Sequence, residues 1–394
     1  MAIATYENAL DLLAGKLLED ESHLGVEFPY VTDESGAWRT MPASRSAGYS
    51  GADWSHGNWF CGFWVGLLVA AHLRTGATRF LDIAHERMQL VAQRARDGNT
   101  HDIGFIFESS AIPAYRVTGE SAYATVALEA ADRLRRRLIT TRKGAYLSAW
   151  GPLDDNRGRR SSAIDTMANL PLLHWAAEHA DDGSFRMAAE QHAIMTRDAF
   201  IRPDMSTYHA VEYDLVTGAR TRGFTFQGYA DESCWTRGQA WAIYGFAETA
   251  RATGKIEYLT LAEKLADYYL MRMGGRLVPF WDFDDPAIPH CPLDSATAGT
   301  VASAFLTMSA LHPDPSVGEA WRTRALAILD ALCETCLAVE PEHRGFLKHG
   351  CYSKPHNIGP DSAVLFGDWF FAEALCAAAL PGMLRPTPNR LTVS

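Results

Sequence analysis

No stretch of this sequence stays apolar for the ~18 residues a membrane span requires, so a membrane protein is not expected. The opening segment, Met1 to Glu19, alternates polar and apolar residues at helical spacing. It lacks the basic-then-apolar order of a secretory signal. Seven cysteines, an odd and scattered set, offer no disulfide framework. Cys333 and Cys336 form a lone C-x-x-C within a helical run, with no second pair to complete a metal site. The expected compartment is the reducing cytoplasm. Positive charge is also short: 36 Lys and Arg stand against 47 Asp and Glu, a formal charge of −11. Nucleic acid, which wants a basic face, is excluded as a partner. An anionic ligand would need local Arg or His to overcome that long-range field.

The signatures of several enzyme classes are missing as well. There is no G-x-S-x-G elbow, no Walker A loop and no dinucleotide fingerprint after a strand. No pair of His stands at metal-ligand spacing on a helix. His101-Asp102 resembles part of a phosphohydrolase metal site, but the further His and Asp partners are not there. A mechanism with neither metal nor cofactor is expected.

What is present is repetition. An apolar helix ends in Thr-Gly or Asp-Gly, and a few residues later an aromatic opens an amphipathic helix. The cases are Thr75-Gly76 with Phe80, Thr118-Gly119 with Tyr123, Asp182-Gly183 with Phe185 and Thr253-Gly254 with Tyr258. Glycine just past a helix supplies the left-handed residue that closes it. The following helices keep one apolar stripe, as in Phe80, Ala84, Met88 and Val91. The preceding ones are apolar nearly all round. The pattern predicts helices over 4–19, 57–74, 78–96, 104–117, 121–138, 166–179, 184–200, 236–252, 256–272, 296–311, 317–339 and 362–380. Six pairs make an all-α, (α/α)6 barrel in one domain spanning 1–394. An open superhelix would need polar caps at its ends, and Val364 to Leu380 is too apolar to be one. Irregular segments at 20–56, 201–235 and 276–295 each precede a buried helix and should gather at one rim as short β or extended loops. The second of them reads as a small hairpin.

The same rim collects unusual residues: Trp59 and Phe63, His101 and Asp102, Asp165, then Trp235, Arg237 and Trp241. Trp281, Asp282 and Asp294 follow, then Asp361 and Asp368. Aromatic faces stack on sugar rings while carboxylates take hydroxyls, so a carbohydrate site is indicated. Each residue has a plainer reading. Asp102 and Asp165 could be N-caps worth ~1 kcal/mol each, and Trp64 and Trp175 core filling. His209 could be a packing residue, and Arg237 an ion-pair partner of Asp231 or Glu232. Asp282, Asp284 and Asp285 beside Pro286 look like turn chemistry.

At these residues the chain resembles the unsaturated glucuronyl hydrolases, glycoside hydrolase family 88, from about Trp59 to Leu375. The likeness is carried by Trp59-Phe-Cys-Gly-Phe-Trp64, His101-Asp-Ile-Gly-Phe105, Ala149-Trp-Gly151, Asp165-Thr-Met-Ala-Asn-Leu-Pro171 and Ser206-Thr-Tyr-His209. It continues through Gln227-Gly-Tyr229, Ser233 to Gly245, Pro279-Phe-Trp-Asp-Phe-Asp284, Asp294-Ser295 and Gly367-Asp368. The resemblance implies an α/α six-hairpin barrel. It implies removal of a 4,5-unsaturated uronic acid from chondroitin, hyaluronan or heparin fragments left by lyases. The C4=C5 enol ether is hydrated, so the carboxylate-spacing rule for ordinary glycosidases does not apply. Asp165 would be the general acid/base, and Asp102 would hold sugar hydroxyls and raise the pKa of Asp165. Trp59 and Phe63 would stack on the saccharide, with His101 beside them. His209, Gln227, Arg237 and Trp241 would line the unsaturated ring, Arg237 and Gln227 meeting its carboxylate. Ser353 and Lys354 would meet a sulfate or serve as turn residues, the latter preferred. The alternatives are the sister rhamnogalacturonyl hydrolases, acting on pectin fragments, and a sugar epimerase on an α/α barrel. The His101-Asp102 and Asp165 elements favour the first family over the rhamnogalacturonyl hydrolases, and the His pairs an epimerase would use as acid and base are not evident.

Overall fold

A computed structural model describes residues 3–44, 57–388 and 390–391; residues 45–56 of the segment expected to be irregular lie outside the described residues. In chain order the first elements are α1 (Ile3–Leu24), β1 (Glu27–Thr32), β2 (Trp38–Pro42), α2 (Cys61–Thr75) and α3 (Arg79–Val91). Next come α4 (Ile103–Glu108), α5 (Ala111–Thr118), α6 (Ser121–Arg135), β3 (Leu138–Thr140), β4 (Ala145–Leu147), α7 (Asn156–Arg160) and β5 (Ser161–Ala163). Then α8 (Leu170–His179), α9 (Gly183–Phe200), β6 (Ala210–Tyr213), β7 (Arg220–Phe224), α10 (Thr236–Thr253) and α11 (Ile256–Met273) follow. The last are α12 (Ser295–Leu311), α13 (Pro315–Thr335) and α14 (Leu365–Ala379).

Hydrophobic pattern sorts these helices into two layers. Every residue of α10 from Thr236 to Ala250 is buried, whereas α3 buries only the stripe of Phe80, Ile83, Ala84, Arg87, Met88 and Val91. The inner helices form a closed ring: α2 touches α4, α4 touches α8, α8 touches α10, and α10, α12 and α14 continue back to α2. α1 packs on both α2 and α14, sealing the seam between first and last hairpins. Close approach depends on missing side chains. A Cβ on Gly62 would strike the Ile106 carbonyl, and one on Gly245 would strike the backbone of Met167.

Several expectations need correction. The helix expected over 104–117 is two, α4 and α5, broken at Ser109-Ser110. Pro113 explains the break, since it cannot donate to the Ser109 carbonyl and its ring crowds that group. The first turn of the helix expected over 166–179 is instead a 3-10 turn, Ile164–Asn169, leading into α8 with Pro171 near its start. Gly76, Gly119 and Gly254 do close helices at φ of 70, 72 and 72°. Gly183 does not: Asp181 takes the left-handed conformation at φ 49°, and Asp182 caps α9 by accepting from Ser184 N–H at 2.9 Å. Part of the segment 20–56 is the β1–β2 hairpin. The hairpin expected in 201–235 is β6–β7, and β5 joins it as a third strand. The β3–β4 hairpin and α7 were not anticipated.

Candidate active site

The loops preceding the inner helices surround a cavity of about 760 Å³. Its wall is built from Trp59 before α2, Asp102 and Phe105 at α4, and Asp165 on the 3-10 turn before α8. Arg237 and Trp241 enter from α10, and Gln227 from the loop after β7. Neither carboxylate is used as a cap. Asp102 occupies the N-cap position of α4 without a side-chain cap bond, and Asp165 lies inside the 3-10 turn. Both side chains are thereby left to face the cavity.

Asp102 is held from two sides. Its Oδ2 accepts from Thr100 Oγ1 at 2.9 Å, and Oδ1 stands 3.2 Å from His101 Nε2. Burial pushes its carboxyl up to about 6 against the opposing hydrogen bond from Thr100 and the charge of Arg94. Asp165 differs: its Oδ1 is a buried oxygen with no hydrogen-bond partner. Burial first, and the negative charge of Asp102 second, push Asp165 up to about 8, with Arg237 pulling the other way. Two carboxyls in one pocket with separated affinities for a proton are the usual arrangement of an acid–base pair.

The two turns that carry them are tied together. His101 Nδ1 meets Thr166 Oγ1 at 2.5 Å. Asn169 Oδ1 accepts the Phe105 N–H at 2.5 Å, while its Nδ2 donates to the Asp165 carbonyl at 3.0 Å.

Of the residues expected at the site, Trp59, Asp102, Asp165, Gln227, Arg237 and Trp241 line the cavity. Phe63, His101 and His209 stand behind it. Phe63 is 0% exposed and packs edge-on against Trp59, so it supports the stacking platform instead of forming it. His101, also 0% exposed, orients Asp102. His209 lies between the rings of Phe226 and Trp235, at 4.1 and 4.3 Å between centroids. Its Nδ1 faces Thr225 Oγ1 at 2.8 Å, and burial holds its pKa well below the ordinary value, so the ring is neutral.

Arg237 lines the cavity and is already engaged by protein groups. Its guanidinium donates to Asp294 Oδ2 at 2.7 Å and to the carbonyls of Cys351 and Tyr352 at 2.6 Å each. Its ion-pair partner is Asp294, at the N-cap position of α12, not Asp231 or Glu232, and the loop after α13 supplies the two carbonyls. Gln227 Nε2 donates to the same Tyr352 carbonyl at 3.2 Å. Asp282 accepts from Tyr229 N–H and Ser233 Oγ, and Asp368 from the N–H groups of Phe346 and Leu347; both organise loops. Lys354 is bonded to Asp285 and does not line the cavity, whereas Ser353 does.

Trp235, expected at the rim, lines the cavity too, and so do Trp150, Arg157, Arg160, Glu212, Phe226, Tyr352 and His356, to which no individual role was assigned from sequence. The cluster Arg157, Arg159 and Arg160 in a chain of charge −11 was the available signal. Among the described residues no group of three or more His, Cys, Asp or Glu is arranged to hold a metal ion.

No family model matches the chain. It is 32% identical over 382 residues to an unsaturated glucuronyl hydrolase of Bacillus sp. (strain GL1), covering 94% of this chain and 96% of that protein. It is 29% identical to an unsaturated chondroitin disaccharide hydrolase of Streptococcus agalactiae serotype III (strain NEM316), covering 94% and 90%. The crystal structure of the Bacillus sp. GL1 enzyme superposes with a TM-score of 0.84 at 31% identity, over 94% of this chain and 96% of that one. A Streptococcus agalactiae unsaturated glucuronyl hydrolase mutant complexed with dGlcA-GalNAc6S superposes at 0.77 with 26% identity, over 96% and 92%.

Proposed function

The chain belongs to the unsaturated glucuronyl hydrolases, and from that premise we propose how it acts and on what. It is a glycoside hydrolase that removes the 4,5-unsaturated uronic acid from the non-reducing end of glycosaminoglycan oligosaccharides produced by lyases. Asp165 enters the reaction protonated and delivers its proton to C4 of the enol ether. Positive oxocarbenium character develops at C5 and its ring oxygen. Water adds at C5 and gives its proton to the Asp165 carboxylate, leaving a hemiketal. That hemiketal opens and releases the next sugar. Asp102 binds hydroxyls of the ring and, as a neighbouring negative charge, keeps the proton on Asp165.

The observation that carries this reading is the unpartnered Oδ1 of Asp165 at the wall of the cavity, on a carboxyl raised to about 8. A general acid needs a proton near neutrality and no competing protein partner. Trp59 and Trp241 supply apolar faces for the sugar. The epimerase reading finds no support, since neither His101 nor His209 lines the cavity. A cytoplasmic location is part of the proposal; its support is that all seven cysteines are free. No helix among the described residues is long and apolar enough to cross a membrane.

The test is to mix the protein with unsaturated chondroitin, hyaluronan and heparin disaccharides and follow the enol-ether ultraviolet absorbance. Decay of that absorbance with release of the second sugar is expected. A stable signal with all three would refute the function.

A further inference from the structure

We propose that Arg160, with Arg157 one helical turn before it, reads a second negative charge on the substrate, a sulfate or carboxylate on a sugar beyond the unsaturated ring. The inference rests on the function proposed above.

Both arginines line the cavity and lie three positions apart on α7, hence on one face. Arg157 is engaged with Asp155 at 2.7 Å while its side chain stays 71% exposed. Among the described residues no hydrogen bond or ion pair holds Arg160, which is exposed at the mouth. Arg237, by contrast, is bound to Asp294 and two carbonyls. Among the described residues that line the cavity, Arg160 is thus the arginine without a hydrogen bond or ion pair.

Its platform is rigid. Tyr146 Oη donates to the Arg159 carbonyl at 2.8 Å, and Ser148 Oγ to the Gly158 carbonyl at 2.5 Å. A Cβ on Gly158 would meet the Pro152 carbonyl oxygen at 2.5 Å, so α7 lies hard against the preceding loop. β5 then runs directly from Arg160 toward Asp165, its Ser161 paired with Glu212 of β6. At ~3.3 Å per extended residue, the five-residue step sets Arg160 at most ~17 Å from Asp165 along the chain. An oligosaccharide bound at Asp165 can extend over that span, and because Arg160 is exposed at the mouth, it is the leaving part of the substrate that passes the guanidinium. Glu212 also lines the mouth, with Arg222 4.0 Å away; it opposes a bare anion and leaves Arg160 as the group that selects for one. In a chain of charge −11, such a local cation is what an anionic aglycone requires.

The test compares three unsaturated chondroitin substrates: the unsulfated disaccharide, with no anion beyond the cleaved ring; a sulfated disaccharide; and the unsulfated tetrasaccharide, which carries a further carboxylate. In Arg160→Gln, kcat/KM on the sulfated disaccharide or the tetrasaccharide, relative to the unsulfated disaccharide, is expected to fall roughly fivefold through KM. Arg157→Gln/Arg160→Gln should fall further, and 0.5 M salt should erase the difference. A fall for the sulfated disaccharide alone assigns the site to sulfate, and one for the tetrasaccharide alone assigns it to carboxylate. Equal ratios in mutant and unaltered protein overturn the inference while leaving the function standing. No turnover of any substrate by the unaltered protein overturns the function, and the inference with it.

Discussion

His101 and Thr166 lie 65 positions apart, and their side chains meet at 2.5 Å, Nδ1 to Oγ1. Each is the chain neighbour of a carboxylate, Asp102 on one side and Asp165 on the other. With the Asn169 bridge from Phe105 N–H to the Asp165 carbonyl, this contact fixes the two acids relative to each other. Asn169→Ala should therefore lower kcat by ~10², the cost of small misplacement in a preorganised site, with little loss of helical circular dichroism. Thr166→Val should act in the same direction. Steady-state kinetics on an unsaturated disaccharide checks both; an unchanged kcat in both would mean that the bridges do not matter to catalysis.

The rate should follow a bell in pH. Asp102 must be ionised, so kcat/KM rises as pH passes about 6; Asp165 must be protonated, so it falls beyond about 8. Because the two charges interact, these are apparent values of the pair. Asp102→Asn removes the like charge, so the alkaline limb should move to lower pH and the rate should drop ~10²–10⁴. A pH–rate profile with both proteins measures the shift. An alkaline limb that stays in place would show that Asp102 does not govern Asp165.

Asp165→Asn should cut turnover by ~10⁴, the upper end of acid–base contributions, and should not weaken the fold. Folded Asp165 retains its proton up to about 8, whereas an unfolded aspartate releases it near ~4. Across that window the folded state holds the extra proton, so the residue's contribution to stability falls as pH rises. The variant's Tm should exceed that of the unaltered protein at pH 8, and the gap should narrow toward pH 4. Thermal unfolding at both pH values checks this; a gap that widens on acidification would contradict the pKa assignment.

The alternation of all-round and one-sided apolar helices is written in composition over spans long enough to register, so the ring was legible in the sequence. Asp102 and Asp165 were legible because each stands just before a long apolar helical stretch. Arg237 was recognisable as a rim residue, but its partner Asp294 is 57 positions away, and nothing local distinguishes that partner from Asp231 or Glu232. His209 and Phe63 have the right residue types in the right segments, yet their burial depends on Phe226, Trp235 and Trp59 closing over them. Strands β3, β4 and β5 have three residues each, too few for alternation to show. The arginines of α7 escaped notice because that helix has only five residues, too few for a helical period to show.

At the end of the ring away from these loops, Arg385 pairs with Glu108, Glu248 and Glu373. All three carboxylates are nearly inaccessible, at 5, 2 and 2% exposure. Arg385→Ala strands them without their shared cation, and stability should fall by about 3–5 kcal/mol. Urea unfolding at pH 7 measures it. A loss below about 1 kcal/mol would mean that Arg251, which also pairs with Glu248 at 2.7 Å, suffices for the cluster.

This staple has a bearing on biosynthesis. Arg385 is translated after every inner helix, while its acidic partners belong to hairpins made early, midway and last. A nascent chain halted before it has six helices able to assemble but a negatively charged knot at their base. Chains that end before the arginine should therefore be less stable than the full chain and be cleaved by proteases more readily.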